Sequence, residues 1–126
     1  MLAGICLGTN DLEKAGAFYD QVLQQVGMVR LSANEREIGY GTPDGEPVLW
    51  VLMPFNEKSA TFGNGTQVIF DAADSNAVDS FHLRAMELGG TDEGAPGPRD
   101  YAEGYYGAYC RDLDGNKLHA FVMRAP

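Results

Sequence analysis

The side chains best suited to chemistry lie in the closing stretch Tyr105–Val122, YYGAYCRDLDGNKLHAFV. Asp114-Gly115-Asn116 is a turn-forming cluster, and the runs Ala108–Arg111 and Lys117–Val122 on either side of it read as the strands of a hairpin. In the second run Leu118, Ala120 and Val122 share one face, while Lys117, His119 and Phe121 share the other. The first face suits packing on a helix. The second sets an imidazole between a ring and a charge, and a strand with distinctive residues on both faces suits a pocket better than open solvent. An imidazole of ordinary pKa can be charged or neutral near pH 7, which makes His119 the best single candidate for acid–base work or ligand binding.

Other chemistries fare worse. The chain has two histidines, and His82 falls on a predicted helix as a surface or core-edge residue. No Ser/His/Asp set can be assembled around either. Gly63-Asn64-Gly65 and Gly94–Gly97 are not followed directly by a helix start, as a phosphate loop must be, and read as turns. Cys6 and Cys110 fall in predicted strands without metal-type or redox-type spacing, and read as buried thiols. The formal net charge of −9 opposes nucleic-acid phosphates and anionic membranes, and mildly favours cationic ligands. No run approaches the ~20 apolar residues of a membrane span. Met1–Leu7 lacks a basic leader and the apolar centre of a secretory signal. The expectation is a cytoplasmic protein with neither nucleic acid nor membrane as partner.

These side chains need elements to hold them. Leu2–Leu7 reads as a first strand. Asn10 precedes Glu13 by three, a capping-box-like start, and Leu12, Ala15, Tyr19, Val22, Leu23 and Val26 recur at helical spacing, giving a helix over 11–26 stopped by Gly27. Met28–Ser32, Arg36–Gly41 and Val48–Met53 read as strands, the last two around Thr42-Pro43-Asp44-Gly45. Pro54–Gly65 is rich in turn formers and reads as a linker. Thr66–Ala72 is the next strand. Asp74 or Ser75 caps a helix running to about Leu88, with Val78, Phe81, Ala85 and Leu88 on its buried stripe and Gly89-Gly90 at its end. Thr91–Gly104, with two prolines and four glycines, reads as an irregular excursion before the hairpin.

The two halves repeat. Phe18 precedes Gly27 by nine and Phe81 precedes Gly90 by nine; each helix follows a short strand and precedes a hairpin built on Asp-Gly. VLWVLM and LHAFVM close the two hairpins alike. The fold class this implies is α+β, with two βαβββ modules forming a half-open mixed β-barrel and one helix backing each sheet. Neither half, at about sixty residues, buries enough to be comfortable alone. Residues 1–126 are therefore expected to form one domain, with module 1 about 1–55, a linker about 56–65 and module 2 about 66–126. The faces turned away from the helices would line a trough between the sheets.

In this arrangement the chain resembles the vicinal-oxygen-chelate superfamily, which contains glyoxalases, bleomycin-resistance proteins and extradiol dioxygenases. The resemblance runs through NDLEKAGAFYDQVL, GNGTQVIF and GYYGAYCRDLDGNKL, and so covers essentially the whole chain. In that superfamily the last strand follows an aspartate-glycine turn as lysine, an aliphatic residue, then a metal-binding glutamate. Here Asp114-Gly115-Asn116-Lys117-Leu118-His119 sets a histidine at the glutamate position. Metal-dependent members place one ligand on the first and last strand of each half, and the resemblance maps those places onto Gly4, Trp50 (or Leu49, no better a ligand), Gln67 and His119. A divalent ion there would act as a Lewis acid. Gly4 has no side chain, Trp50 offers only a donor N–H and Gln67 a neutral amide oxygen. Stable zinc sites use three or four protein ligands, and iron(II) oxygenases need two histidines and a carboxylate. The expectation is therefore a degenerate site with no metal and no cofactor. The alternative is a metal-dependent lyase, isomerase or dioxygenase, in which a mobile loop carrying Asp100 or Glu103, or a partner chain, completes the ligand set.

Without metal, the trough is a recognition surface. Trp50 serves equally as a flat pocket wall or as plain core, and Gln67 can donate and accept. Tyr40, Tyr101, Tyr105, Tyr106 and Tyr109 bring hydroxyls on apolar bodies, each of them equally suited to packing. Arg99 either stays solvated in its loop or reaches over the trough mouth to pair with a carboxylate. The expected ligand-binding set is Trp50, Gln67, Arg99, Tyr105, Tyr109 and His119, with a small molecule as partner. The resemblance implies a homodimer. A third reading is a regulatory dimer whose trough is vestigial.

Overall fold

The chain passes twice through one sequence of elements. In the computed structural model, which describes residues 1–123, the first pass is β1 (Ile5–Gly8), α1 (Leu12–Gln24), β2 (Val29–Ala33), β3 (Glu37–Gly41) and β4 (Leu49–Leu52). The second is β5 (Gln67–Asp71), α2 (Ser75–Glu87), β6 (Thr91–Pro98), β7 (Tyr105–Arg111) and β8 (Lys117–Met123). Residues 124–126, assigned to module 2 from the sequence, lie outside the described residues. The result is two four-stranded mixed sheets, ordered β1-β4-β3-β2 and β5-β8-β7-β6, in which β1 runs parallel to β4 and β5 to β8. One helix backs each sheet, and the sheets do not close. This is the βαβββ repeat expected from the matched stops and turns.

Local chemistry explains the helices. The apolar stripe of α1 buries Ala15, Phe18, Tyr19, Val22 and Leu23, and that of α2 buries Val78, Phe81 and Ala85. Gly27 and Gly89 follow the two helices at φ 80° and 96°, a conformation that ends a helix without strain only at glycine. Asp74 caps α2 by accepting from the Ala77 N–H at 2.8 Å. The cap of α1 is Asp11, which accepts from the Lys14 N–H, and not Asn10 as expected. Asn10 instead fastens the linker, its side-chain oxygen accepting from the Ala60 N–H at 2.7 Å. Adjacent Asn and Asp are equivalent caps by residue type, so the linker contact decides between them.

One apolar cluster spans both modules, joining Leu7, Phe18, Tyr19, Tyr40 and Val51 to Val68, Phe70, Phe81 and Leu118. A polar clamp reinforces it. The Tyr19 hydroxyl of α1 donates to the buried carboxylate of Asp112, in the β7–β8 turn. Asn116 donates to the same carboxylate at 2.9 Å and to the Gly8 carbonyl of β1 at 3.0 Å. Edge strands β1 and β5 face each other across an apolar cleft of about 270 Å³ lined by Gly4, Ile5, Val68 and Ile69 among others.

Three sequence expectations need correction. Thr91–Pro98 is not irregular: it pairs antiparallel with β7, with register breaks between Asp92 and Gly94 and between Gly94 and Gly97. An edge strand tolerates Pro96 and Pro98 because one side of it needs no partner, and the breaks absorb the glycines. Only the turn between β6 and β7 remains irregular. The first strand starts at Ile5 rather than Leu2. Cys6 is exposed while Cys110 is buried, because the β1 register turns Cys6, opposite Trp50, away from the helices.

Candidate functional site

On β8, Leu118, Ala120 and Val122 are buried toward the core, and Lys117, His119 and Phe121 occupy the opposite face as alternation requires. The antiparallel register with β7 sets Tyr109 opposite His119, Gly107 opposite Phe121 and Arg111 opposite Lys117. Directly opposed side chains touch. The Tyr109 ring stacks on the His119 imidazole with centroids 4.1 Å apart and planes 26° from parallel. Gly107 leaves room for the rest: a Cβ there would lie 3.0 Å from His119 Nε2 and 3.3 Å from the Tyr105 ring. Tyr105 uses that room to stack on Phe121 at 5.1 Å and to bring its hydroxyl within 3.1 Å of Nε2. Tyr101 packs edge-on to Tyr105 at 5.0 Å, and its hydroxyl meets that of Tyr109 at 2.6 Å.

The imidazole at the centre is 2% exposed, and its Nδ1 is buried without a hydrogen-bond partner. Burial, reinforced by Arg99 and then Lys117, pushes the His119 pKa down to about 4. The side chain read from sequence as charged or neutral near pH 7 is therefore neutral there. Burial and the Tyr101 hydroxyl push the Tyr109 phenol up, so it stays protonated. Two cations flank this surface. Lys117 Nζ lies 5.2 Å and Arg99 Cζ 5.5 Å from the centre of the Tyr109 ring.

Arg99, Tyr105, Tyr109 and His119 thus come together. Trp50 does not join them: it is half-buried on the helix-distal face of β4, opposite Cys6 and Gly39, and its indole lies across Gly39. Gln67 opens β5 opposite Lys117, exposed and on the same sheet face as His119, whose direct neighbour on β5 is Ile69. Among the described residues, no hydrogen bond or ring contact links Trp50 or Gln67 to the His119 cluster. Gly4 lies just before β1, with the Val48 carbonyl 3.1 Å from where a Cβ would stand.

Two tyrosines turn out to pack on the helix side. Tyr40 is buried and donates to Asp20 on α1 at 2.8 Å; Tyr106 donates to Asp79 on α2 at 2.6 Å. Their even positions in β3 and β7 put them opposite the trough face, a signal that alternation in the sequence carries. The same alternation would have paired Gly107 with the cluster it makes room for. His82 is a core-edge residue, its Nε2 2.9 Å from Asp92 on β6.

The donors present do not fit a transition metal. Among the described residues no three His, Cys, Asp or Glu side chains converge. Nε2 of His119 faces a phenol, and Asp100 and Glu103 are exposed in the turn after β6. Glycine, indole and amide at the other three places supply no anionic donor.

Comparison with known proteins adds family context. Residues 2–120 match the model of the Glyoxalase/Bleomycin resistance protein/Dioxygenase superfamily. The crystal structure of a glyoxalase/bleomycin resistance protein from Albidiferax ferrireducens T118 is 36% identical, with 97% of this chain and 98% of that one aligned at a TM-score of 0.86. A glyoxalase/bleomycin resistance protein/dioxygenase family enzyme from Burkholderia phytofirmans PsJN shares the fold at 23% identity, 98% coverage of both chains and a TM-score of 0.76. A lactoylglutathione lyase from Agrobacterium tumefaciens does so at 23% identity, 97% and 92% coverage and a TM-score of 0.65. No curated protein matches.

Proposed function

The chain belongs to the glyoxalase/bleomycin resistance protein/dioxygenase superfamily, and on that premise we propose that it is a metal-free member binding a small molecule on the open face between its sheets. One observation carries the reading: the strand position where relatives of the resembling families bind metal holds a neutral imidazole already built into an aromatic cluster. The open faces supply what recognition of a small molecule needs, which is flat rings, a few hydroxyls and two cations. Trp50 and Gln67 extend that surface onto the other strands. His119 acts as a platform in this reading rather than as an acid–base catalyst.

We place the protein in the cytoplasm as a single-domain homodimer. Among the described residues no helix is long and apolar enough to cross a membrane. Ile69 and Met123, 53% and 56% exposed on the helix-distal face, supply apolar surface for a second copy to cover. A metal-dependent lyase, isomerase or dioxygenase remains the competing reading, and it requires a carboxylate from the β6–β7 turn or from a partner.

A thermal-shift screen in the presence of chelator separates the two readings. Basic glycopeptides, small neutral aromatics and small aromatic acids are each expected to be tried, and at least one compound should raise the melting temperature with chelator present. Silence across the screen, or shifts that appear only after a divalent metal is added, would overturn the metal-free reading.

A further inference from the structure

The glycine- and proline-rich stretch Thr91–Arg99 has no role in the account so far, yet it builds one part of this surface with unusual care. The Arg99 side chain folds back along β6 instead of extending into solvent. Its guanidinium donates to the carbonyls of Gly97 and Pro98 at 3.0 Å and of Ala95 at 2.7 Å. Side chains at Gly94 and Gly97 would crowd it: Cβ atoms there would stand 3.2 and 3.4 Å from its nitrogens. The two glycines therefore clear a bed, three carbonyls fix the guanidinium in it, and the charge ends 5.5 Å from the Tyr109 ring.

Carbonyls hold a guanidinium without neutralising it. Arg30, Arg84 and Arg111 pair with Asp20, Glu87 and Glu93, whereas among the described residues no carboxylate lies within ion-pair distance of Arg99 or Lys117. Lys117 Nζ also has no hydrogen-bond partner among them, and it sits 5.2 Å from the same ring. The acids that share the neighbourhood are Asp71, opposite Phe121, and Asp100 and Glu103 in the turn. None closes on either cation. A chain with net charge −9 thus presents a local patch of the opposite sign. The depressed His119 pKa reports the same field, since both cations contribute to it.

We propose that this patch is an anion subsite: Arg99 and Lys117 take the carboxylate of a small aromatic acid whose ring lies against the Tyr101, Tyr105 and Tyr109 side chains. The overall acidity of the chain points to cationic ligands, and the local arrangement reverses that expectation. The inference rests on the small-molecule-binding reading and narrows it to one charge and one shape. Unpaired cations attract a carboxylate strongly where aromatic walls limit water, and two of them discriminate charge better than one.

Backbone-amide NMR shifts during titration with benzoate, benzamide and benzamidine test it with three probes of one shape and different charge. Benzoate is expected to move the amides of Tyr105, Tyr109, Lys117 and His119. Benzamide should bind about ten-fold more weakly and benzamidine more weakly still, the scale of losing one charge-assisted hydrogen bond. Lys117→Met should weaken benzoate by about ten-fold while leaving a folded spectrum, and it spares the β6 bed that a change at Arg99 would disturb. Benzamide or benzamidine binding these amides as tightly as benzoate would overturn the proposal, as would unchanged benzoate affinity in Lys117→Met. Benzoate moving none of these amides would overturn it too. In that last case a neutral or cationic compound that shifts Trp50 or Gln67 leaves the metal-free binding reading standing; silence from all compounds removes both.

Discussion

Protonating His119 should cost the fold more than protonating an ordinary histidine, and the size of the effect follows from its surroundings. Its ring is stacked on Tyr109, its Nε2 faces the Tyr105 hydroxyl, its Nδ1 has no partner, and Arg99 and Lys117 lie nearby. The unfolded chain takes up a proton near the ordinary value of 6.5, while the folded chain resists until about 4. Above 6.5 both states are neutral and the group contributes nothing to pH dependence. Between 6.5 and 4 the unfolded state holds more protons, so stability falls as pH falls, and below 4 the loss is complete. The separation amounts to about 3 kcal/mol in full and about 2 kcal/mol by about pH 5. Urea denaturation of the wild type and of His119→Phe measures it, because phenylalanine keeps the stacking and cannot titrate. The many carboxylates titrate alike in both proteins, so the difference isolates the imidazole. Between about pH 7.5 and pH 5 the wild type should lose about 2 kcal/mol more than the variant. Curves that run parallel within about 0.5 kcal/mol would refute a buried, charge-resisting imidazole.

Two further predictions concern the frame that holds this face. Tyr19→Phe removes a buried hydroxyl from the Asp112 carboxylate that joins the modules, and should destabilise the fold by about 1–3 kcal/mol in urea denaturation. Asp112→Ala should cost more, since Tyr19, Asn116 and the Asp114 N–H all lose an acceptor; no change in either variant would remove the clamp from the account. Cys6 is exposed, whereas Cys110 is buried with its thiol pushed up to about 12, first by burial and then by Asp112. A thiol reagent should therefore label Cys6 alone in the native protein and reach Cys110 only on unfolding. Rapid labelling of both, or of neither, would contradict the β1 and β7 registers.

The architecture was legible because its signals are periodic. The stripes of α1 and α2, the glycine stops at Gly27 and Gly89, and the paired Asp-Gly turns repeat in one order, and the alternation of Lys117–Val122 shows which residues face away from α2. What stayed hidden depends on partners that no local pattern names. β6 looks like a loop because its prolines and glycines argue against a strand, and pairing with β7 outweighs them. Asn10 and Asp11 are interchangeable as caps until Ala60 claims one of them. Tyr40, Tyr106 and the other tyrosines are one residue type with two fates, divided by strand parity. The site was legible in part: His119, Tyr105, Tyr109 and Arg99 meet, while Trp50 lies on the other sheet. The neutrality of His119 was hidden, since only the surrounding rings and cations create it.

Elemental analysis of the purified protein beside His119→Ala bears most directly on whether this fold has kept its cradle and lost its metal chemistry. With glycine, indole and amide at three of the four places and an aromatic-bound imidazole at the fourth, no stoichiometric zinc, nickel or iron should accompany the wild type. About one ion per wild-type chain, absent from a folded His119→Ala protein, would contradict it.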